Sequence, residues 1–397
     1  MMKNKSFSRF FLPLLLLAVL SGCITNSPKI IYTEDELVAV LQKRIVDAEV
    51  SKTMVPFYIT DEIKEYAREA AGPYYYEKGK VNALVRAIID RKKLDVKYNE
   101  YKALNAIEVF VEGEANCIAY TNLFIGMARS VGLPVYYVDV TEVSKLKREG
   151  ELVVNSGHIC AGIEINAKIT LIDFAEHPRI GYKFYKVIDD LEALANFINS
   201  QGVLYSYQID LSSEDLDSQI DIKLYRTAIR IKPTFAKAFN NLGIAYQRRR
   251  LYDLAIAQYK RAILLDSKLS APYSNLGNVY YLKGEYVKAI ENLKKALKLK
   301  KNNPYTHYAI GLVYYYKKDY PEAIKHFRRS ARLNREYAEP HNLLGMVYFQ
   351  QGKYEEAILE AQKALQIDPH LTQAKSNLKK YQAMYNKKIS SSAKLIK

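Results

Sequence analysis

Asn240-Asn241-Leu242-Gly243-Ile244-Ala245-Tyr246 is the stretch from which the second half of the chain can be read, because its Leu-Gly pair returns at a fixed interval. Leu276-Gly277, Ile310-Gly311 and Leu344-Gly345 each follow the preceding pair by 34 residues. Three residues after each glycine stands an aromatic (Tyr246, Tyr280, Tyr314, Tyr348), and twelve after it an alanine (Ala255, Ala289, Ala323, Ala357). A 34-residue period belongs to stacked helical hairpins, none of which can bury its apolar face alone. The glycines let the two helices of a hairpin approach closely.

These residues resemble tetratricopeptide repeats, and the resemblance implies an all-α solenoid whose concave groove takes a protein or peptide partner. The array extends upstream. Asn199-Ser200-Gln201-Gly202-Val203-Leu204-Tyr205 aligns with residues 240–246, which puts Gly202 41 residues before Gly243. The excess of seven over the period reads as an insertion, and the polar stretch Asp210-Leu211-Ser212-Ser213-Glu214-Asp215 fits it while offering an N-cap for a helix through Tyr225 and Ala228 to Pro233. Five repeats over residues 191–388 result. The last is closed after Pro369 by a polar capping helix from Ser376 to Lys388, with 389–397 as a frayed tail.

At the other end, Lys3, Lys5 and Arg9 precede an apolar run from Phe10 to Leu20, which is short for a bilayer span and shaped like a secretory signal. Leu20-Ser21-Gly22-Cys23 follows directly and resembles the lipobox of bacterial lipoproteins. The resemblance implies a signal peptide over 1–22, acylation of Cys23 as the mature N-terminus, and a lipidated tether over 23–32. Because Ile24 is not aspartate, it further implies sorting to the outer membrane, facing the periplasm. Several acyl chains anchor a protein stably where one does not.

Charge is unevenly divided. Of 59 basic and 43 acidic side chains, residues 1–190 hold 25 and 25, and residues 191–397 hold 34 and 18, so the whole net charge of +16 sits on the repeats. A basic solenoid attracts acidic partners. In a periplasmic setting these are acidic proteins or anionic lipid, and nucleic acid is excluded.

Residues 33–190 read as helices first and strands later, an α+β arrangement. Thr33 with Glu36 forms a capping box ahead of a helix, Thr60-Asp61-Glu62 opens another that ends near Gly72, and Val81 to Ile89 continues the helical period. After Gly132-Leu133-Pro134 the period changes, with strands over 135–140, 158–165 and 169–174. Cys117 stands at the expected start of a helix, where backbone N–H groups and the helix dipole favour a thiolate and supply donors for an oxyanion. Forty-one residues on, His158 opens a strand, and fifteen further Asp173 ends the next. An antiparallel pair would set imidazole and carboxylate side by side, and Cys, His and Asp suffice for acyl transfer.

From Val81 to Asp173 the residues resemble the transglutaminase-like superfamily, a branch of the papain-like cysteine enzymes. The resemblance rests on Ala106-Ile107-Glu108-Val109-Phe110, the stretch from Cys117 to Pro134, and the His and Asp strands in family order. It implies a papain/transglutaminase-like fold with Cys117 as nucleophile, His158 as general base and acid, and Asp173 as the orienting carboxylate. The chain departs from the family at Ala115, where Gly is usual, at Ile159-Cys160, where an aromatic pair follows the His, and at Phe174, where Pro follows the Asp. It also has no Gln between Gln42 and Gln201 to serve the oxyanion, which leaves Asn116, a tyrosine or the Cys117 N–H as donor.

Cys160 shares a strand face with His158, and two readings stand for it: a buried neutral thiol, or a partner that pairs with Cys117 and switches it off. His177 reads as a loop residue. The two histidines and two thiols of this domain lack metal-site spacing, and no cofactor is called for. Two functions remain open. One is a membrane-anchored cysteine peptidase or amide acyl-transferase whose repeats recruit its substrate, and the other is a catalytically silent scaffold lipoprotein that holds envelope partners.

Overall fold

A computed structural model describes residues 31–45, 50–140, 146–149, 152–155, 158–165, 168–174, 185–208 and 219–395. The signal segment, Cys23, His177 and the polar stretch 210–215 lie outside them. The chain forms two compact units, the first closing at Ala238 and the second taking up Lys147–Val154 and the residues from Phe239 onward.

Helices open the first unit, and their caps are those visible in the sequence. At α1 (Glu34–Arg44) the Thr33 hydroxyl accepts from the Glu36 N–H at 3.3 Å, and the Glu36 carboxylate accepts from the Thr33 N–H at 2.8 Å. Thr60 caps α2 (Asp61–Ala71), which stops at Gly72. The next helix, α3 (Glu77–Ile89), starts a turn before Val81, since the extra turn is polar and has no apolar period to mark it. Asn105 and Glu108 form a second capping box on α4 (Ala106–Glu112), which ends on Gly113 at φ 68°. Two short strands, β1 (Lys97–Tyr98) and β2 (Glu114–Ala115), pair in parallel just ahead of α5 (Cys117–Ser130).

Residues 118–128 of α5 are all buried, as in a helix that is core on every side. This central helix packs on α2, α3, α4 and the sheet. Gly126 permits the approach, because a Cβ there would lie 2.5 Å from the Phe57 carbonyl oxygen.

The sheet is built from β3 (Val135–Val140), β6 (His158–Ile165), β7 (Lys168–Ile172) and β8 (Tyr185–Ile188) in the antiparallel order β7-β6-β3-β8. A separate hairpin joins β4 (Leu146–Glu149) to β5 (Leu152–Asn155). Alternation puts Tyr137, Ile159, Ala161 and Ile163 into the main core. Tyr136, Val138, Val140, Cys160, Ile169 and Leu171 form a smaller cluster on the other face.

The hairpin of α6 (Asp190–Gln208) and α7 (Ile220–Ile231) has repeat geometry, with the Cβ position of Gly202 2.7 Å from the Tyr225 ring. Yet Leu191, Leu194, Phe197, Ile198, Ala228 and Ile231 belong to the core of the first unit, which therefore runs well past the boundary expected at 190. The physical reason is a buried ion pair. Asp190 takes both Arg129 nitrogens, at 2.8 and 3.0 Å, and the Tyr32 N–H at 2.9 Å, tying the start of α6 to the end of α5.

The second unit repeats one contact. Hairpins pair α8 (Ala236–Arg248) with α9 (Tyr252–Leu265), α10 (Ser270–Leu282) with α11 (Tyr286–Leu299), α12 (Pro304–Tyr316) with α13 (Tyr320–Leu333), and α14 (Glu339–Gln350) with α15 (Tyr354–Ile367). The Cβ positions of Gly243, Gly277 and Gly311 lie 2.5, 2.6 and 2.6 Å from Tyr259, Leu293 and Phe327, each sixteen residues later. Between Gly202 and Tyr225 the separation is 23, so the seven extra residues fall between them, as the spacing requires.

In the last hairpin Ala361 holds the bulky position, and Tyr381 from α16 (Thr372–Leu395) fills the place, 3.3 Å from the Gly345 Cβ position and stacked on Phe349 at 4.8 Å. This capping helix is longer than expected at both ends and continues through the supposed tail, because no Gly or Pro interrupts residues 370–397.

Candidate active site

The sheet register and α5 bring the three sequence-predicted residues together. His158 begins β6, Asp173 follows β7 by one residue rather than ending it, and Cys117 is the first residue of α5. His158 Nε2 lies 2.8 Å from Asp173 Oδ1, which leaves Nδ1 to meet the Cys117 thiol, to which the ring is also hydrogen-bonded. Side-chain exposure is 12% for His158 and 8% for Asp173, so the pair is shielded from water.

Burial by itself would hold the imidazole neutral. The hydrogen bonds to Asp173 and Cys117, and the negative charge of both partners, overcome it and push the His158 pKa up to about 10. These contacts favour the imidazolium form of a ring aimed at a sulfur that sits on a helix N-terminus.

The backbone there is set by Asn116, whose Oδ1 accepts from the Ala119 N–H at 3.1 Å. The N–H groups of Cys117 and Ile118 have no acceptor within the helix, as for any first turn. Asn116 Nδ2 is the atom that would have to donate to an oxyanion, since Oδ1 is committed to the cap.

Cys160 does not join this group. Its side chain is fully buried two residues along β6 from His158, opposite Val138; both thiols are free, and burial first, then the charges of Asp173 and Cys117, push its pKa well up. Among the described residues no cluster of three or more His, Cys, Asp or Glu is placed to hold a metal ion.

Family models match both parts of the chain. The transglutaminase-like superfamily matches residues 64–166, a span that contains Cys117 and His158 and ends before Asp173. Tetratricopeptide-repeat families match 252–284, 277–318 and 308–371. The chain carries a transglutaminase-like domain followed by tetratricopeptide repeats.

No curated protein gives a significant match. Solved structures similar to part of the chain include TTC0263, a thermophilic TPR protein of Thermus thermophilus, at 19% identity over 48% of this chain and 98% of that one, TM-score 0.40. YrrB, a TPR protein with an unusual peptide-binding site, is 19% identical over 47% and 92%, TM-score 0.37. MamA is 23% identical over 40% and 96%, TM-score 0.35.

Three features of the transglutaminase-like domain escaped the sequence reading. Thr121, one turn into α5, donates to the Cys117 carbonyl at 2.8 Å and approaches that of Ile159 at 3.4 Å, bridging the helix of Cys117 to the strand of His158. Phe174 stacks on Tyr120 at 5.1 Å. Arg129 fixes the far end of α5 through Asp190. Only Phe174 had a visible signal, standing where the family has proline.

Proposed function

We propose that the chain is a cysteine acyl-transfer enzyme of the bacterial envelope, anchored through Cys23 to the outer membrane on its periplasmic side, with repeats that recruit a protein or peptide substrate. The observation that carries the reading is the hydrogen-bonded series Cys117, His158, Asp173, with His158 Nε2 2.8 Å from Asp173 Oδ1 and Cys117 at a helix N-terminus. In this mechanism Cys117 Sγ, its proton held by His158, attacks an amide carbonyl. The Cys117 N–H supports the oxyanion. The C–N bond breaks as His158 gives its proton to the departing amine, leaving a thioester on Cys117. Water or a primary amine then attacks, loses its proton to His158 and expels the thiolate, giving hydrolysis or transamidation. Asp173 holds the ring by Nε2 throughout.

Recruitment draws on the basic excess of residues 191–397, with Lys317 and Lys318 exposed on the repeats. Nucleic acid is not a partner in the compartment proposed. An acidic peptide partner should bind less tightly as salt rises from low to physiological strength, because exposed charges are screened over about 8–10 Å.

Two experiments test the proposal. Release of amine from peptide amides by the intact chain should vanish in Cys117→Ala and persist weakly in Asp173→Asn; a folded wild-type protein with no turnover on protein or peptide amides would favour the scaffold instead. Cys23→Ser should leave the membrane fraction, and unchanged fractionation would contradict the anchor.

A further inference from the structure

Asp173 lies just outside the sheet, since the registered pairing of β7 with β6 ends at Ile172 opposite Ala161. The next residue enters an aromatic stack. The Phe174 ring lies on that of Tyr120 with centroids 5.1 Å and planes 3° apart, and touches Phe124 at 5.8 Å. Tyr120 belongs to the first turn of the helix that begins with Cys117, is 4% exposed, and is itself fixed by donating its hydroxyl to the Val96 carbonyl. One rigid helix thus carries the sulfur at its tip and, three residues on, the surface against which the residue after Asp173 is pressed.

We propose that Phe174 and Tyr120 are positioning residues for the triad: their stack sets the Asp173 carboxylate against His158 Nε2, so the nucleophile's helix also fixes the acid. The inference rests on the acyl-transfer reading of the same site. A proline after the Asp would stiffen the backbone there by fixing φ. Here the stiffness comes from two aromatic planes, which resist sliding less than a ring closed on the chain does. Among the described residues the ionisable groups acting on the imidazole are Asp173 beyond β7 and Cys117 on α5. Any loosening of Asp173 must therefore be read on the ring.

The test is an NMR titration of the His158 ring in the full chain carrying Cys117→Ala, with the resonance assigned by its loss in His158→Gln. Phe174→Leu keeps an apolar side chain but no planar face. Its His158 midpoint should fall by about one pH unit or more towards that of Asp173→Asn, since the charged partner is no longer held in place. Phe174→Tyr should restore the midpoint, and Phe174→Leu should add nothing once Asp173→Asn is present. Phe174→Met serves if the leucine variant fails to fold.

An unchanged midpoint in a folded Phe174 variant, or an equal fall with and without Asp173, would overturn the proposal. Because the sulfur is absent from these proteins, the outcome is independent of turnover. A wild-type chain without thiol reactivity would defeat the enzyme reading and leave the positioning result standing.

Discussion

The repeats and the transglutaminase-like domain both use glycine to let helices close up, but the glycines meet different things. In the repeats Gly243, Gly277 and Gly311 each receive a side chain from sixteen residues on, and the contact recurs because the sequence does. In the first unit Gly126 receives the backbone of Phe57, a contact made once, 69 residues back along the chain. A side chain can shift by a rotamer and a carbonyl cannot, so one region should yield to substitutions that the other refuses. The same contrast separates two buried histidines, one charged by its partners and one kept neutral by burial.

The largest effect is expected where the repeats depart from their own rule. Tyr381→Ala should destabilise the end of the array by about 4 kcal/mol, as emptying a buried aromatic site does, seen as a lower urea midpoint and faster amide exchange in α14 and α15. Tyr381→Phe should be nearly silent, since among the described residues its buried hydroxyl has no hydrogen-bond partner.

Next, Gly126→Ala should cost about 3 kcal/mol by forcing α5 off the 57–59 segment, whereas Gly311→Ala, whose Cβ meets only the Phe327 ring, should cost about 1–2 kcal/mol. Equal losses in the two variants would break the distinction between backbone and side-chain contacts.

pH should separate the two histidines by sign. His326 sits with its Nδ1 3.1 Å from that of His307, and burial first, then the neighbouring His307 charge, push its pKa down to about 4. Unfolding lets it take a proton at its ordinary 6.5, so its contribution is present above that value and is lost as pH falls from 6.5 towards 4. His158 is the reverse. Its pKa is raised to about 10, so its contribution is present below 6.5 and is lost as pH rises through 10. Urea midpoints measured across pH should fall less on the acid side in His326→Gln, His307 and Glu360 supplying the rest, and less on the alkaline side in His158→Gln.

The smallest effect should be a gain. Arg250, Gly284, Lys318 and Gly352 occupy the same turn at φ 57°, 76°, 62° and 72°, a left-handed position that costs a side chain. Lys318→Gly should therefore raise stability by about 1 kcal/mol or less, readable as a small increase in melting temperature.

Legibility in the sequence divides along the same line. The hairpins and the helix caps at Thr33 and Thr60 were legible because each depends on residues close together or on a period, whereas Cys117, His158 and Asp173, 41 and 15 residues apart, were singled out by their order along the chain. Arg129 with Asp190, Gly126 with Phe57 and Tyr120 with Phe174 were not, because a contact formed once between distant segments leaves no spacing to recognise. The first repeat shows both cases. Its Gly202 was legible from the match of residues 199–205 to 240–246, seven residues off the period, while its membership of the first unit rested on an ion pair to a residue 61 positions earlier. Tyr381 was hidden for a third reason, since only the small side chain of Ala361 signals that the capping helix must supply the missing ring.

The central claim is that Cys117, His158 and Asp173 act as one unit, and the rate of alkylation at neutral pH tests it most directly. Iodoacetamide should label Cys117 far faster than the buried Cys160 near neutral pH, and His158→Ala should abolish that advantage while the protein stays folded. Slow labelling of Cys117 that is indifferent to His158→Ala would contradict the account.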